Sequence, residues 1–82
     1  MNFFIYILEC KNNKLYTGYT KDIIKRFHQH LSGKGAKFTK INPPIQLLYF
    51  EIFDNRKDAM KREHKIKTYS RKRKLELCQK MM

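Results

Sequence analysis

The longest uninterrupted apolar run in this chain is six residues, Phe3-Phe4-Ile5-Tyr6-Ile7-Leu8. A membrane-spanning helix needs about 20 such residues and a signal-peptide core roughly 7–15. The chain is therefore expected neither to span a membrane nor to be secreted. The run is rich in aromatic and β-branched residues and too short for a helix, which predicts a strand. It stops at Lys11-Asn12-Asn13-Lys14, where asparagine supplies turn chemistry, and Leu15-Tyr16-Thr17-Gly18-Tyr19-Thr20 follows as the second strand of a hairpin. Gly18 marks a place where a ligand or another backbone comes close.

Thr20 or Asp22 caps a helix to about Leu31, along which Ile23, Ile24, Phe27 and Leu31 recur at helical spacing. Ser32-Gly33-Lys34-Gly35 ends it. Ala36 to Pro44 reads as a polar connection, because Pro43-Pro44 cannot sit inside a helix or a central strand. Ile45 to Phe53 is the third strand. Asp54 or Asn55 opens a second helix through about Lys67, and Ser70 opens a third that carries the chain to its end. The order ββα-β-αα implies an α/β (α+β) domain, a small antiparallel or mixed sheet of three strands packed against about three helices. With 82 residues, 1–82 is expected to be a single domain.

Nineteen Lys and Arg against seven Asp and Glu give a formal charge of +12. That excess on a short chain repels itself unless a polyanion meets it. A hydrophobic content of 41%, with aromatic residues making up 13% of the chain, argues for a folded domain over a disordered basic tail. Residues 56–82 hold eleven Lys or Arg against three acids, and the first 55 hold eight against four, so the charge gathers at the C-terminal end. Such a face is either simply solvated or a nucleic-acid contact, and the lack of a balancing acidic region favours the latter. Lys25, Lys34, Lys37, Lys61, Arg62, Lys65, Lys67 and Arg71 are the candidate phosphate contacts. Cys10 and Cys78 stand apart, with no histidine at zinc-ligand spacing, and are expected to be free thiols in a reducing, cytoplasmic setting.

Projection at about 100° per residue, with Ile23 as zero, spreads Ile23, Phe27, Leu31 and Ile24 over roughly 0° to 100° and centres them near 50°. Arg26 and His30 fall at about 300° and 340°, one turn apart at the margin of the stripe, where side chains line the edge of a cleft. On the second helix, Ala59 at about 0°, Met60 at about 100° and Ile66 at about 340° define the apolar face, and Glu63 at about 40° falls inside it. An inward carboxylate costs several kcal/mol unless paired or metal-bound. Its partner is either Lys67 or Arg26 in a salt bridge, or a divalent cation, since Mg²⁺ takes carboxylate oxygen and keeps several waters.

Tyr6, then Tyr16-Thr17-Gly18, then Arg26 and His30, then a lone Glu63 resemble the catalytic set of the GIY-YIG nuclease family. That family includes intron-homing endonucleases, some restriction enzymes and the N-terminal incision domain of the bacterial excision-repair nuclease. The likeness is nearest to its small stand-alone bacterial members, through Tyr6-Ile7-Leu8, Leu15-Tyr16-Thr17-Gly18, Ser32-Gly33-Lys34-Gly35-Ala36-Lys37 and Lys61-Arg62-Glu63, and runs from about Phe4 to Leu77. The resemblance implies that Tyr6 and Tyr16 are the tyrosines of the first and second motifs and that Gly18 lets the strand approach the site. Arg26 takes the place of the catalytic arginine, and His30 the position one turn later. Glu63 takes that of the metal-binding glutamate, with one Mg²⁺ or Mn²⁺ ion. Phe4 stands where the first motif has glycine, Tyr19 stands where excision-repair members have lysine, and no asparagine follows Asn55.

The implied chemistry is hydrolysis of a nucleic-acid phosphodiester, with DNA the expected polymer. Arg26 neutralises phosphate charge, and Tyr16, helped by His30 or Tyr6, accepts the water proton. Direct attack by Tyr16, leaving a phosphotyrosine link, is the alternative mechanism. The alternative function is a non-catalytic nucleic-acid-binding module that retains the fold. No membrane partner is expected, and a monomer is the default.

Overall fold

The computed structural model describes residues 2–81. The apolar run lies in β1 (Phe3–Cys10), the middle strand of a three-stranded antiparallel sheet, with β2 (Lys14–Thr20) on one side and β3 (Pro44–Phe53) on the other. Its position explains its composition, because a strand flanked on both sides and covered on both faces has no polar side to present. Ile5, Ile7 and their neighbours pack on α3 (Arg56–Lys67) and α4 (Arg71–Gln79), with Ala59, Ile66, Leu77 and Cys78. Tyr6, Leu8 and Cys10 point to the opposite face, against Tyr16, Leu47, Phe50 and α1 (Ile23–Leu31), which supplies Ile23 and Phe27. Cys10 and Cys78 are both buried free thiols.

The hairpin turn places Asn12 and Asn13 at φ 63° and 58°, the left-handed region that asparagine tolerates better than most residues. Arg71, at the start of α4, donates to the Asn13 carbonyl at 2.6 Å and to its Oδ1 at 2.7 Å, fastening the turn to the last helix. Pro44 opens β3, an edge strand, where the missing N–H is tolerated. A register shift between Ile7 and Leu8 leaves Leu48 unpaired, so Leu48 and Tyr49 pack on the same face of the sheet while Leu47 packs on the other. Asp22, Asn55 and Ser70 cap α1, α3 and α4 through backbone N–H groups three residues on.

Three expectations from the sequence are corrected. The stretch Ala36 to Pro44 is more than a polar connection, since it contains a fourth helix, α2 (Lys37–Ile41), whose Thr39 is buried. Its five residues are too few to leave a periodic signal, and its burial depends on contact with α1. The inward face of α1 is also rotated from the stripe its apolar residues suggest. Ile24 is 70% exposed and Leu31 is exposed too, while His30, expected at a cleft edge, is only 1% exposed. The buried direction centres on Ile23, Phe27 and His30, because α2 covers the His30 side and leaves the Ile24 side open. On α3, Met60 is likewise exposed, while Ala59 and Ile66 are buried as expected.

Candidate active site

Register brings the first site residues together. Tyr6 pairs with Gly18 and Leu8 with Tyr16, so both tyrosines and the glycine share the face of the sheet that α1 covers. A Cβ on Gly18 would collide with the Tyr6 ring and hydroxyl, so the glycine is what lets the phenol lie across β2. The Tyr6 and Tyr16 ring centroids are 6.3 Å apart, and each meets His30 edge-on, at 5.8 Å and 5.1 Å.

Three hydrogen bonds in series fix the His30 proton. Thr39 donates its hydroxyl to the Ala36 carbonyl at 3.1 Å, which leaves its oxygen to accept from His30 Nδ1–H at 2.7 Å. Nε2 of the neutral ring is then the acceptor, and it receives the Tyr6 hydroxyl at 2.7 Å. Burial, and after it the positive charge of Arg26, push the His30 pKa down and keep the ring neutral. Burial first and the neighbouring Tyr16 second raise that of Tyr6, with Glu63 adding to the rise and Arg26 opposing it. Tyr6 is thus held as a phenol and His30 as an imidazole, one proton lying between them.

Thr39 and Gly35 belong to this site and were not singled out by sequence reasoning. A Cβ on Gly35 would overlap the His30 ring, so this glycine is required for close packing, whereas Gly33, at φ 80°, is the one that follows the end of α1. The available signal was the Gly33-Lys34-Gly35 stretch itself, which holds one more glycine than a helix end requires.

Arg26 opens from α1 onto a hollow of about 370 Å³ shared with Lys21, Lys25, Gln29 and Arg56, where Asp22 is the single acid. Tyr16, Gly18 and His30 lie directly against the Tyr6 ring, while Arg26 and Glu63 reach it only through their charges, which act on its pKa in opposite directions. The Glu63 side chain is 17% exposed and pairs with Lys67 at 3.3 Å, the first of the two salt-bridge partners weighed for it. Among the described residues no group of three His, Cys, Asp or Glu gathers into a metal cluster. A lone, partly exposed carboxylate suits a hard cation that keeps its waters and takes phosphate oxygens as further ligands.

The candidate phosphate contacts divide. Lys25, Lys34, Lys37, Lys61 and Lys65 project from the surface, whereas Lys67 pairs with Glu63 and Arg71 holds the Asn13 turn. Arg62 departs most from that reading. Its Nε and Nη2 donate to the two Glu51 oxygens at 2.9 and 3.0 Å, and Nη1 reaches the Tyr69 hydroxyl at 3.4 Å. Burial alone would raise the Glu51 pKa, but hydrogen bonds from Arg62 and Tyr49 outweigh it and hold the carboxyl below its usual range. Tyr49 in turn is pushed up to about 12 by burial and by its bond to Glu51. Glu51 was also missed in the sequence, although a lone carboxylate in the apolar run Leu47 to Phe53 is a signal of pairing.

Residues 2–76 match the GIY-YIG catalytic domain, and the chain belongs to that family. Its relatives include small stand-alone proteins of the UPF0213 group. One from Staphylococcus saprophyticus is 57% identical over 74 residues, covering 90% of each chain. Another, from the archaeon Haloquadratum walsbyi, is 47% identical over 76 residues, covering 93% of this chain and 85% of the relative. The solution structure of a UPF0213 protein from Bacillus halodurans superposes with a TM-score of 0.59 at 44% identity, over 94% of this chain and 82% of that one.

Proposed function

We propose that this protein is an endonuclease that hydrolyses nucleic-acid phosphodiester bonds, DNA first among them, with one Mg²⁺ or Mn²⁺ ion held by Glu63. The observation that carries this reading is the Tyr6–His30–Tyr16 cluster beside Arg26 and Glu63 in a GIY-YIG fold. When bound, the ion supplies Lewis acidity toward the leaving oxygen. Arg26 holds phosphate charge with its forked donors, and the surrounding lysines draw the strand in. Tyr16 accepts the proton of the attacking water. His30 serves a supporting role through Tyr6, since its Nε2 faces that hydroxyl and its Nδ1 faces Thr39. Buried free thiols at Cys10 and Cys78 suit the reducing cytoplasm, and nicked or branched DNA arising in repair is a natural substrate to try.

Incubation of the purified protein with single-stranded, nicked and branched DNA, with Mg²⁺ or Mn²⁺ and with chelator, tests the reading. Metal-dependent cleavage is expected, falling on the order of 10²-fold or more in Tyr16→Phe and in Glu63→Ala. Wild type that binds nucleic acid but cleaves nothing would favour a non-catalytic binding module, and variants as active as wild type would overturn the residue assignments.

A further inference from the structure

Helix α2 carries a second surface beside the catalytic cluster. Thr39 points inward to His30, and its neighbour Phe38 lies against Tyr16 with ring centroids 5.7 Å apart and planes tilted by 31°. Phe38 nevertheless remains 37% exposed, and Ile41 on the same short helix is more exposed still. An aromatic ring held one ring away from a catalytic tyrosine, yet left open to solvent, is a surface on which a flat apolar group can rest.

The charge on the same short helix identifies that group, although the lysine-lined hollow beside Ile41 does not itself include Phe38. Lys34, Lys37 and Lys40 line a hollow of about 700 Å³ together with Gly33, Ala36 and Ile41. From Ile23 to Phe50 the chain has five Lys or Arg and no Asp or Glu, so no carboxylate of this segment competes for the lysines. A flat apolar group attached to a repeating anion is a nucleobase on its phosphate backbone. A base inside a duplex is already stacked on both faces, so only an unpaired base is free to lie on a protein ring.

We infer that Phe38 is a stacking platform for an unpaired base next to the scissile phosphate, with Lys34, Lys37 and Lys40 holding the adjoining backbone. The site therefore selects single-stranded, frayed or flap-like nucleic acid over intact duplex. The inference rests on nucleic acid being the partner, as proposed above, and does not require that the bond be cut.

Fluorescence anisotropy in chelator, at fixed ionic strength, separates binding from cleavage. The probes are a labelled oligothymidine and a labelled blunt duplex of the same length. Phe38→Leu retains apolar packing against Tyr16 but offers no aromatic face, and it is expected to weaken oligothymidine binding about tenfold while changing duplex binding less than twofold. Phe38→Trp is expected to retain wild-type affinity for the single strand. A 2-aminopurine placed in the oligonucleotide is expected to be quenched by wild type and by the tryptophan variant, and not by the leucine variant. Equal losses on both probes, or no loss on either, from a Phe38→Leu protein with an unchanged thermal melt would overturn the platform. Wild type that binds neither probe would overturn the nucleic-acid reading along with it, whereas a wild type that binds but never cleaves would leave the platform standing and remove only the nuclease.

Discussion

His30 has no free nitrogen, because Nε2 accepts from Tyr6 and Nδ1–H donates to Thr39. Adding a proton forces Nε2 to become a donor and the Tyr6 hydroxyl to turn away. Its folded pKa is lowered, so the unfolded chain protonates first, near the ordinary value of about 6.5. Stability contributed by the neutral ring is therefore present above about pH 6.5 and is lost as the pH falls through the lower folded value. Thermal melts between pH 7.5 and 5 should show the midpoint falling in wild type. Thr39→Val, which leaves Nδ1–H buried without an acceptor, should melt lower already at pH 7.5, by the equivalent of about 1–3 kcal/mol, and Thr39→Ser by less. A flat pH profile, or a valine variant as stable as wild type, would refute this account. Tyr6 and Tyr16 could be named from the sequence only through the family resemblance, and Arg26 and Glu63 through their helical positions as well. Thr39 and Gly35 were not, since their contacts with His30 exist only after α2 folds back over α1.

At the level of elements, the ends of the helices were the most legible feature, as Asp22, Asn55 and Ser70 all cap where their side-chain chemistry suggests. Which side of a helix turns inward was less so. Counting apolar residues set the inner face of α1 toward Ile24 and Leu31, but a histidine with two hydrogen-bond partners is as buried as any isoleucine here. On α3 the ion pair from Arg62 to Glu51 ties the helix to β3, with side chains 26% and 22% exposed. Fully exposed pairs contribute about 0–1 kcal/mol and breaking buried ones costs about 3–5, so removing Arg62 should cost an intermediate 1–3 kcal/mol. Urea unfolding of Arg62→Ala, Glu51→Ala and the double variant measures this, and a coupling below about 0.5 kcal/mol would refute it. Because the Arg62 guanidinium is already committed, the same substitution should alter stability more than nucleic-acid affinity.

For the whole molecule, a charge of +12 on 82 residues makes salt the main control on association. Binding of single-stranded DNA should weaken linearly in a log–log plot between 50 and 200 mM salt, with a slope of roughly −0.7 per phosphate neutralised. Replacing exposed Lys34 or Lys61 should each make the slope shallower by about one such increment, and Arg71→Ala should do so less, since that guanidinium holds the Asn13 turn. A slope that ignores the lysine substitutions would remove them from the contact. The number of strands and the antiparallel hairpin followed from sequence patterning alone, whereas which face of the sheet holds chemistry depended on register. β1 serves both faces, anchoring α3 and α4 through Ile5 and Ile7 and presenting Tyr6 on the other side. Tolerance to substitution should therefore be uneven: a change anywhere from Ile5 to Leu8 disturbs one of two packed faces, whereas the short helix that meets the Tyr6–His30 pair through Thr39 leaves its Phe38 and Ile41 at the surface.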